Sequence, residues 1–362
     1  MGVPRLLPQL RSISRPKHLS EYSGSICGVD GHVWLHRSVY TDAENLAAGF
    51  DVSSHMKYFL KRAERLTAVG VRPIFVFDGA DLPGKSRIQA NRSSNRAMSM
   101  GRAIALRDTG YSMKSYTEFA KATDLRFYLV RDIVQGLNLL GIQAVVAPYE
   151  ADAQLALMAR LGLIDFVISE DSDLLVYGCP RVLFKWDPVS LFGVEVHGRL
   201  SDASPFHGLN SDEAITACVL AGSDYGAGIA GVGIIRATKI MRDISSAGIS
   251  PTLHNIVDFL MKTKNVSVPM QEDVVERLRI SRAVFRHQTV FTPANGGGLI
   301  PLNPYTEIDV CNYAEYLGAI YQTEKAWEVY RGRAHPVSHS LYTGTDSGCP
   351  QHVSIDCTSI NS

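Results

Sequence analysis

Carboxylates are concentrated in the middle of the chain, next to two apolar runs typical of buried strands. Residues 148–156 read Pro-Tyr-Glu-Ala-Asp-Ala-Gln-Leu-Ala, and residues 168–175 read Ile-Ser-Glu-Asp-Ser-Asp-Leu-Leu. Only one basic residue, Arg160, lies between Pro148 and Asp173. Carboxylates crowded at one end of a sheet repel one another unless a cation neutralises them. This spacing predicts a divalent-metal site that does chemistry on phosphates.

Acidic residues follow four separate apolar runs, so the predicted site draws on distant parts of the chain. Strands separated by helices predict a mostly parallel α/β sheet, and sites in such sheets form outside the carboxyl ends of the strands. A single acid at such a place more often caps the next helix. Four successive strands that end this way are hard to explain by capping. The acids concerned are Asp30, Asp78, Glu150, Asp152, Asp171 and Asp173.

The ligand type narrows the choice of metal. Oxygen-only ligands select hard ions, Mg²⁺ or Mn²⁺, rather than zinc. Two such ions about 4 Å apart would activate a water and stabilise the leaving oxygen of a phosphodiester. Glu150 and Asp152 would diverge within one regular helix, so we expect Glu150 to sit in the turn between strand and helix.

A basic segment is the counterpart of these acids. The formal net charge is zero, but residues 57–107 hold eleven Lys/Arg against three acids, a local net charge of +8. Residues 85–107 contain no acid at all. They predict a projecting helix, or a segment that orders on a partner. A solvated basic face is the alternative, but the lack of any acid favours a polyanion partner, whose phosphates Lys or Arg would hold.

A glycine-dense segment, residues 222–233, lies between two predicted helices. Gly226, Gly228 and Gly231 form a G-x-G-x-x-G pattern, but a helix precedes it rather than a strand, which disfavours a dinucleotide-binding fold. A turn that offers backbone N–H groups to a phosphate is the better interpretation. A loop that needs small residues only for its geometry remains the alternative. Asp224 at its start could be a further metal ligand.

Composition sets the broad class. The 46% hydrophobic and 20% charged residues are ordinary for a soluble globular protein, and no apolar run reaches the length of a membrane span. The six cysteines are scattered with no Cys-x-x-Cys pair, so we expect no zinc site or disulfide framework and an intracellular protein. From about residue 335, Ser, Thr, Gly and His dominate, and we expect a mostly disordered tail.

Taken together, the motifs resemble the structure-specific 5′ nucleases, the superfamily of flap endonucleases, the xeroderma pigmentosum group G nuclease and exonuclease 1. The resemblance runs from Met1 to about residue 290. The exonuclease 1 branch fits best, on Trp34-Leu-His36, Leu82-Pro83 and Gly178-Cys179. The general motifs are Met1-Gly2, Val29-Asp30, Phe77-Asp78-Gly79, Ala147 to Ala156, Glu170 to Leu175, Gly222 to Tyr225 and Gly231-Val-Gly233.

The resemblance implies a PIN-like 5′ nuclease fold with a mostly parallel central sheet flanked by helices. We expect a catalytic α/β core in residues 1–205, with a basic helical arch at about 80–130. A helical DNA-binding region with a helix–two-turn–helix element would occupy 206–334 and pack on the core. Residues 335–362 would form the disordered tail.

The resemblance also implies roles for individual residues. Asp171, Asp173, Lys85 and Arg92 would be catalytic, and Ser223 and Ile229 would offer backbone atoms to a potassium ion. The expected metal ligands are Asp30, Asp78, Glu150, Asp152, Asp171, Asp173 and Asp224. The expected DNA contacts are Gly2, His36, Lys85, Arg92, Arg96, Gly231, Gly233 and Arg236.

The implied function is a two-metal 5′→3′ double-stranded DNA exonuclease with 5′ flap endonuclease activity, using Mg²⁺ or Mn²⁺. It would act in the nucleus on 5′ ends, nicks, gaps and flaps, in DNA repair, mismatch repair and recombination. The alternatives are a dedicated flap endonuclease or junction resolvase and, from another class, an inactive DNA-end-binding scaffold. No sliding-clamp-binding motif is found near the C-terminus, and the sequence does not decide whether the chain binds mismatch-repair proteins. His32 and Ala230 replace an aromatic and a basic residue common in the family. Stacking on the unpaired base is therefore expected to be weaker or to depend on pH, and duplex binding is expected to be weaker.

Overall fold

The computed structural model describes residues 2–50, 53–125, 127–264, 268, 270–305 and 313–342. The strands are β1 Ser14–His18, β2 Ile26–Asp30, β3 Arg72–Phe77, β4 Gln143–Val146, β5 Phe166–Ile168, β6 Arg181–Phe184, β7 Phe192–His197, β8 Thr289–Thr292 and β9 Gly298–Pro301. The helices are α1 Gly31–Ser38, α2 Ala43–Ala47, α3 Ser54–Ala68, α4 Ser86–Asp108, α5 Ser112–Ala122, α6 Phe127–Leu139, α7 Ala151–Arg160, α8 Asp173–Val176, α9 Ser211–Ala221, α10 Ile234–Ser246, α11 Leu253–Lys264, α12 Gln271–His287 and α13 Thr323–Tyr330. Within these residues no helix is long and apolar enough to cross a membrane.

A central sheet places the carboxyl ends of its parallel strands along one edge. Its order is β1-β7-β6-β5-β2-β3-β4. The strands from β6 to β4 pair in parallel, whereas β7 pairs antiparallel with both β6 and β1. The predicted mostly parallel sheet is therefore confirmed, and β1 is an edge strand that the apolar pattern did not indicate, because its sequence Ser-Arg-Pro-Lys-His has no apolar alternation.

Both faces of the sheet are covered, which explains why its strands read as continuous apolar runs. Val76 and Val167 point to the face that packs against α7, and the core on that side extends through α9, α10 and α12. Phe75, Phe77 and Phe166 point to the other face, where α1, α3 and α6 pack. The first of these cores contains residues from both sides of position 205, so the helical region packs directly on the α/β core.

The basic segment forms a regular helix, α4, which packs against α5. Small buried residues let the two helices approach closely: Ala103 and Ser99 on α4 are buried, and the Ser115 hydroxyl donates to the Ala103 carbonyl at 2.8 Å. Two separate helices, α5 and α6, follow α4 in the chain. Helix α4 and helix α5 together form the arch.

The C-terminal end of the described chain differs from the expectation of disorder from residue 335. Residues 333–342, which we name the C-terminal loop, close on themselves through an antiparallel bridge between Ala334 and Leu341. Ala334 and Pro336 are buried, and the His335 ring lies edge-on to Phe127, with 4.5 Å between ring centroids. Apolar contacts outweigh the polar composition here. The rest of the predicted tail, 343–362, lies outside the described residues.

Candidate active site

The carboxyl ends of the parallel strands bring six of the seven predicted acids to one edge of the sheet, and all seven are named here the acidic wall. Asp30 is the last residue of β2, and Asp78 directly follows β3. Glu150 lies in the turn before α7 and Asp152 in its first turn, as their spacing predicted. The remaining three are Asp171, two residues before α8, Asp173 at its first position, and Asp224, in the segment after α9.

Asp30 and Asp171 are tied to each other through Ser169, at the end of β5. The Ser169 hydroxyl donates to Asp30 Oδ2 at 3.2 Å and accepts the Asp171 N–H at 3.1 Å. Asp30 also caps α1, because its Oδ1 accepts the Val33 N–H at 3.2 Å. Capping and membership of the acidic wall therefore coexist in one residue. Sequence reasoning missed Ser169, although it stands two residues before an acid of the motif.

Asp78 is held between two elements. Its Oδ1 accepts the Ala151 N–H at the start of α7 at 2.7 Å, and its own N–H donates to His32 Nδ1 at 2.9 Å. Because Nδ1 accepts this bond, the proton of a neutral His32 ring resides on Nε2. His32 thus supports Asp78 from α1, and His36, one turn later, is exposed.

The N-terminus packs on the end of the acidic wall that includes Asp173. The Val3 N–H donates to Asp173 Oδ1 at 3.0 Å, and the Asp173 N–H donates to Asp171 Oδ1 at the same distance. Gly2 has a φ of +79°, and a Cβ there would collide with the Asp171 carboxylate. Gly2, predicted as a DNA contact, therefore lies against the acids, and any larger residue would displace them.

Electrostatics confirm that these carboxylates are crowded and poorly hydrated. Burial, together with the charge of Asp78, raises the pKa of Asp30 to about 7. Burial also raises the pKa of Asp152 and of Asp173 well above the usual carboxyl range, and in both cases the charge of Asp171 adds to it. Each ionised form is disfavoured without a neighbouring cation, which is the electrostatic signature of a cation site.

Two basic side chains from the base of the arch reach the acidic wall. Lys85 Nζ lies 2.6 Å from Glu150 Oε2 and 3.7 Å from Asp224 Oδ2, and the Arg92 guanidinium lies 2.9 Å from Asp224 Oδ2. Burial is the largest single influence on Lys85 and lowers its pKa, but the charge and hydrogen bond of Glu150, together with the charges of Asp224 and Asp78, outweigh it and raise the pKa, so Lys85 stays protonated. The Lys85 ammonium also lies over the Tyr225 ring, 5.4 Å from its centroid.

Two observations support a hard divalent cation at the acidic wall. Its donors are all carboxylate oxygens, which Mg²⁺ and Mn²⁺ prefer, and Asp152 Oδ1 is a buried oxygen without a hydrogen-bond partner. In the arrangement described, no three acid, His or Cys side chains among the described residues stand close enough to hold a metal ion. Lys85 and Arg92 neutralise Glu150 and Asp224 in this arrangement.

The other predicted contacts lie outside this cluster. Arg96 lines the cleft beneath the arch, 3.6 Å from Asp124. Gly231 and Gly233 are exposed before α10, and Arg236 donates to the Gly231 carbonyl at 3.1 Å. The carbonyls of Ser223 and Ile229 each accept one backbone N–H of the same segment. The structure therefore separates an acidic wall with Lys85 and Arg92 from a second polar surface at the N-terminus of α10.

Comparisons with known proteins agree with this arrangement. The XPG N-terminal domain model matches residues 1–99, and the XPG I-region model matches residues 141–224. Exodeoxyribonuclease 1 of Schizosaccharomyces pombe is 30% identical over 351 residues, 96% of this chain and 59% of that protein. The chain thus spans about three fifths of the length of this relative.

Solved structures share the fold. The catalytic core of Rad2 in complex with DNA substrate superposes with a TM-score of 0.52 at 22% identity, covering 77% of this chain and 80% of that one. The Holliday junction-resolving enzyme GEN1, in complex with product DNA and Mg²⁺, gives 0.50 at 18% identity over 77% and 64% of the two chains.

The sheet, the arch and the helical region thus form the PIN-like 5′ nuclease fold that the motifs predicted. The two XPG models match separate parts of the chain, and the parts they match contain all seven members of the acidic wall, with Asp30 and Asp78 in the first and the others in the second. The chain therefore belongs to the XPG family of structure-specific 5′ nucleases, and its resemblance to the exonuclease 1 branch is confirmed.

Proposed function

We propose that the chain is a two-metal, Mg²⁺-dependent 5′→3′ DNA exonuclease with 5′ flap endonuclease activity. One observation carries the proposal. Carboxylates from the ends of β2, β3, β4 and β5 form a partly buried acidic wall, and Lys85 and Arg92 at the base of a basic helix contact it. Negative groups that hold cations opposite positive groups that hold phosphate are the two halves of a phosphodiesterase site.

Each half has its own task in the proposed reaction. The acidic wall would hold two Mg²⁺ ions, which Mn²⁺ could replace, and when bound they supply an activated water and stabilise the leaving oxygen. Lys85 and Arg92 would leave Glu150 and Asp224 and donate hydrogen bonds to the scissile phosphate. Ser169 and the N–H groups of Val33, Ala151 and Val3 hold the carboxylates in position before substrate arrives.

DNA binding would use the remaining surfaces. Arg96 beneath the arch would contact the strand with the 5′ end, with Gly2 and His36 near the site, and Gly231, Gly233 and Arg236 would contact the duplex backbone. A potassium ion at the carbonyls of Ser223 and Ile229 would complete the helix–two-turn–helix element. Relatives that the chain matches are named exodeoxyribonuclease 1 or exonuclease 1, and from this we infer a nuclear role in repair, mismatch repair and recombination.

A substrate panel tests the proposal. We expect Mg²⁺-dependent release of short products from recessed and blunt 5′ ends, and slower cutting of 5′ flaps. Preferred cutting of flaps or of four-way junctions would instead identify a dedicated flap endonuclease or a resolvase. DNA-end binding without hydrolysis in Mg²⁺ or Mn²⁺ would identify an inactive scaffold and contradict the proposal.

A further inference from the structure

The cleft that contains Asp78 and Glu150 extends beyond the acidic wall to side chains with no role in the proposed reaction. Its volume is about 1010 Å³, at the upper limit of the roughly 300–1,000 Å³ usual for small-ligand pockets. One end contains the acids and Lys85. The far end is lined by Phe127, Tyr128 and Arg131 from the start of α6, and by His335, Ser340 and Tyr342 from the C-terminal loop.

The C-terminal loop is held in a defined position at the far end of the cleft. The Tyr342 N–H donates to the Arg333 carbonyl, and the His335 N–H to the Ser340 carbonyl, both at 2.9 Å. A Cβ at Gly332, just before the loop, would press on Val134 of α6, so the chain approaches that helix closely. His335 and Tyr342 are therefore held at the cleft by the loop backbone and by packing on α6.

The far end of the cleft combines aromatic rings with a guanidinium group. The His335 and Tyr342 rings are 6.3 Å apart and edge to face, and the Arg131 guanidinium lies 5.6 Å from the centre of the Tyr342 ring. Phe127 and Tyr342 are only half-buried, so part of each ring is accessible to a ligand. Aromatic rings beside arginine are the surfaces on which unpaired bases stack.

Two arginine side chains at this end are suited to contact an anionic ligand. Arg96 lines the cleft from the arch, and Arg131 lines it from α6. The acids near them are paired: Asp124 lies 3.6 Å from Arg96, and Asp132 accepts a hydrogen bond from Arg131 at 3.0 Å. A ligand with several flat rings and a repeated negative charge matches this surface, and single-stranded nucleic acid has both.

We propose that the C-terminal loop and the start of α6 form a subsite for unpaired nucleotides at the 5′ end of DNA. Tyr342 and Phe127 stack on bases, and Arg131 and Arg96 contact the phosphates between them. The inference rests on the proposed function, which supplies the ligand class and places the reacting phosphate at the acidic wall. It adds a sequence-independent contact outside the acidic wall.

Binding of a fluorescent, 5′-phosphorylated single-stranded oligonucleotide in EDTA tests the subsite without any need for catalysis. Tyr342→Ala and Tyr342→Leu should weaken binding about tenfold, because each loses a stacked base. Tyr342→Phe keeps the ring and should stay within about twofold of wild type. His339→Ala is the matched control, since His339 belongs to the same loop but stacks on Tyr321, 4.1 Å away, and does not line the cleft.

Tyr342→Ala and Tyr342→Leu should also raise KM for a long 5′ flap and leave kcat and melting temperature close to wild type, whereas Tyr342→Phe and His339→Ala should leave KM unchanged. Unchanged oligonucleotide affinity in Tyr342→Leu, or an equal loss in His339→Ala, would overturn the subsite. If Tyr342→Ala fails to fold, the comparison of Tyr342→Leu with Tyr342→Phe decides. A wild-type chain that binds the oligonucleotide through Tyr342 but cuts no DNA would contradict the proposed function and support the subsite.

Discussion

The acidic wall and the arch carry opposite charges and are positioned by different means. Asp30 and Asp173 are 5% and 3% exposed, and backbone N–H groups from α1 and from the N-terminus hold them. On α4, by contrast, Arg92 and Arg102 are exposed, and their side chains are held by ion pairs and a weak backbone contact. The wall is built when the sheet folds, whereas the arch side chains can change partners when a substrate arrives.

This difference has an energetic consequence. Buried like charges destabilise the folded state, so the wall stores repulsion that a cation or Lys85 relieves. Exposed ion pairs such as Arg102 with Glu118 contribute little, about 0–1 kcal/mol each. The contrast predicts that substitutions in the wall or at Lys85 act on chemistry, and that substitutions further along α4 act only on affinity.

The largest effect is expected from the wall itself. Asp171→Ala or Asp173→Ala should lower the cleavage rate at least about 1,000-fold, because roughly 4 kcal/mol of transition-state stabilisation is lost with a cation ligand. DNA affinity should stay within about threefold, since neither acid attracts phosphate. Glu170→Ala is the matched control: Glu170 stands in the same motif but pairs with Arg37 at 3.1 Å. A variant of Asp173 that cuts at the wild-type rate would refute the assignment.

Removal of the basic groups that face the wall should come next. Lys85→Ala or Arg92→Ala should lower the single-turnover rate on the order of 100-fold, as the loss of one preorganised donor does. KM should change less, since the contact strengthens in the transition state. Lys121→Ala, an exposed lysine of α5, is the control. Single-turnover rates within a few-fold of wild type would show that Lys85 and Arg92 only neutralise acids.

Repulsion among the carboxylates of the acidic wall should make the stability of the folded chain depend on pH. The pKa of Asp30 is about 7 in the folded chain and roughly 4 in the unfolded chain. Between these pH values Asp30 binds more protons in the folded than in the unfolded state. Its contribution to the free energy of unfolding is therefore fully present below about pH 4 and is lost as the pH rises toward 7. Melting in EDTA should show this fall, with a flatter curve for Asp30→Asn, which can keep the α1 cap.

Mg²⁺ should reverse the loss of stability. At pH 7.5 it should raise the melting temperature of the wild type more than that of Asp30→Asn, because it binds the folded state through the ionised carboxylates. If the melting temperatures of the two proteins depend on pH in the same way in EDTA, burial and neighbouring charges do not destabilise the ionised form of Asp30.

The smallest effect is expected far along the arch. Arg102→Ala should raise KM about two- to threefold at low salt and reduce the slope of log affinity against log salt by about one, as the loss of a single phosphate contact does. Its kcat should not change. Arg331→Ala, at an exposed arginine directly after α13, serves as the control. A large fall in kcat for Arg102→Ala would remove the distinction between the wall and the arch.

Sequence alone predicted much of this molecule, for physical reasons that particular residues show. Runs such as Ile74 to Phe77 are buried on both faces, so they read as strands, and the acids that follow them share one edge of the sheet. The position of Glu150 before α7 followed from its spacing to Asp152. Family membership followed from the joint occurrence of the acidic motifs, and the XPG matches confirm it.

The apolar pattern of the sequence does not reveal features that depend on distant or polar residues. Strand β1 is polar and depends on pairing with β7. Short hairpin β8–β9 contains too few residues to show a period. The C-terminal loop has the composition of a disordered segment, yet Ala334 and Pro336 are buried against α6. The pairing of Lys85 with Glu150 joins residues 65 positions apart, and no local signal indicates it.

One measurement tests the central claim most directly, that the acidic wall hydrolyses DNA from a 5′ end with divalent metal. A duplex with a recessed 5′ end, labelled on the recessed strand at its 3′ end, is incubated with wild type or Asp171→Ala, in Mg²⁺ or in EDTA. We expect progressive shortening of the labelled strand from its 5′ end by wild type in Mg²⁺, and a labelled strand of unchanged length in the other three reactions. Shortening in EDTA, or equal shortening by Asp171→Ala, would contradict it.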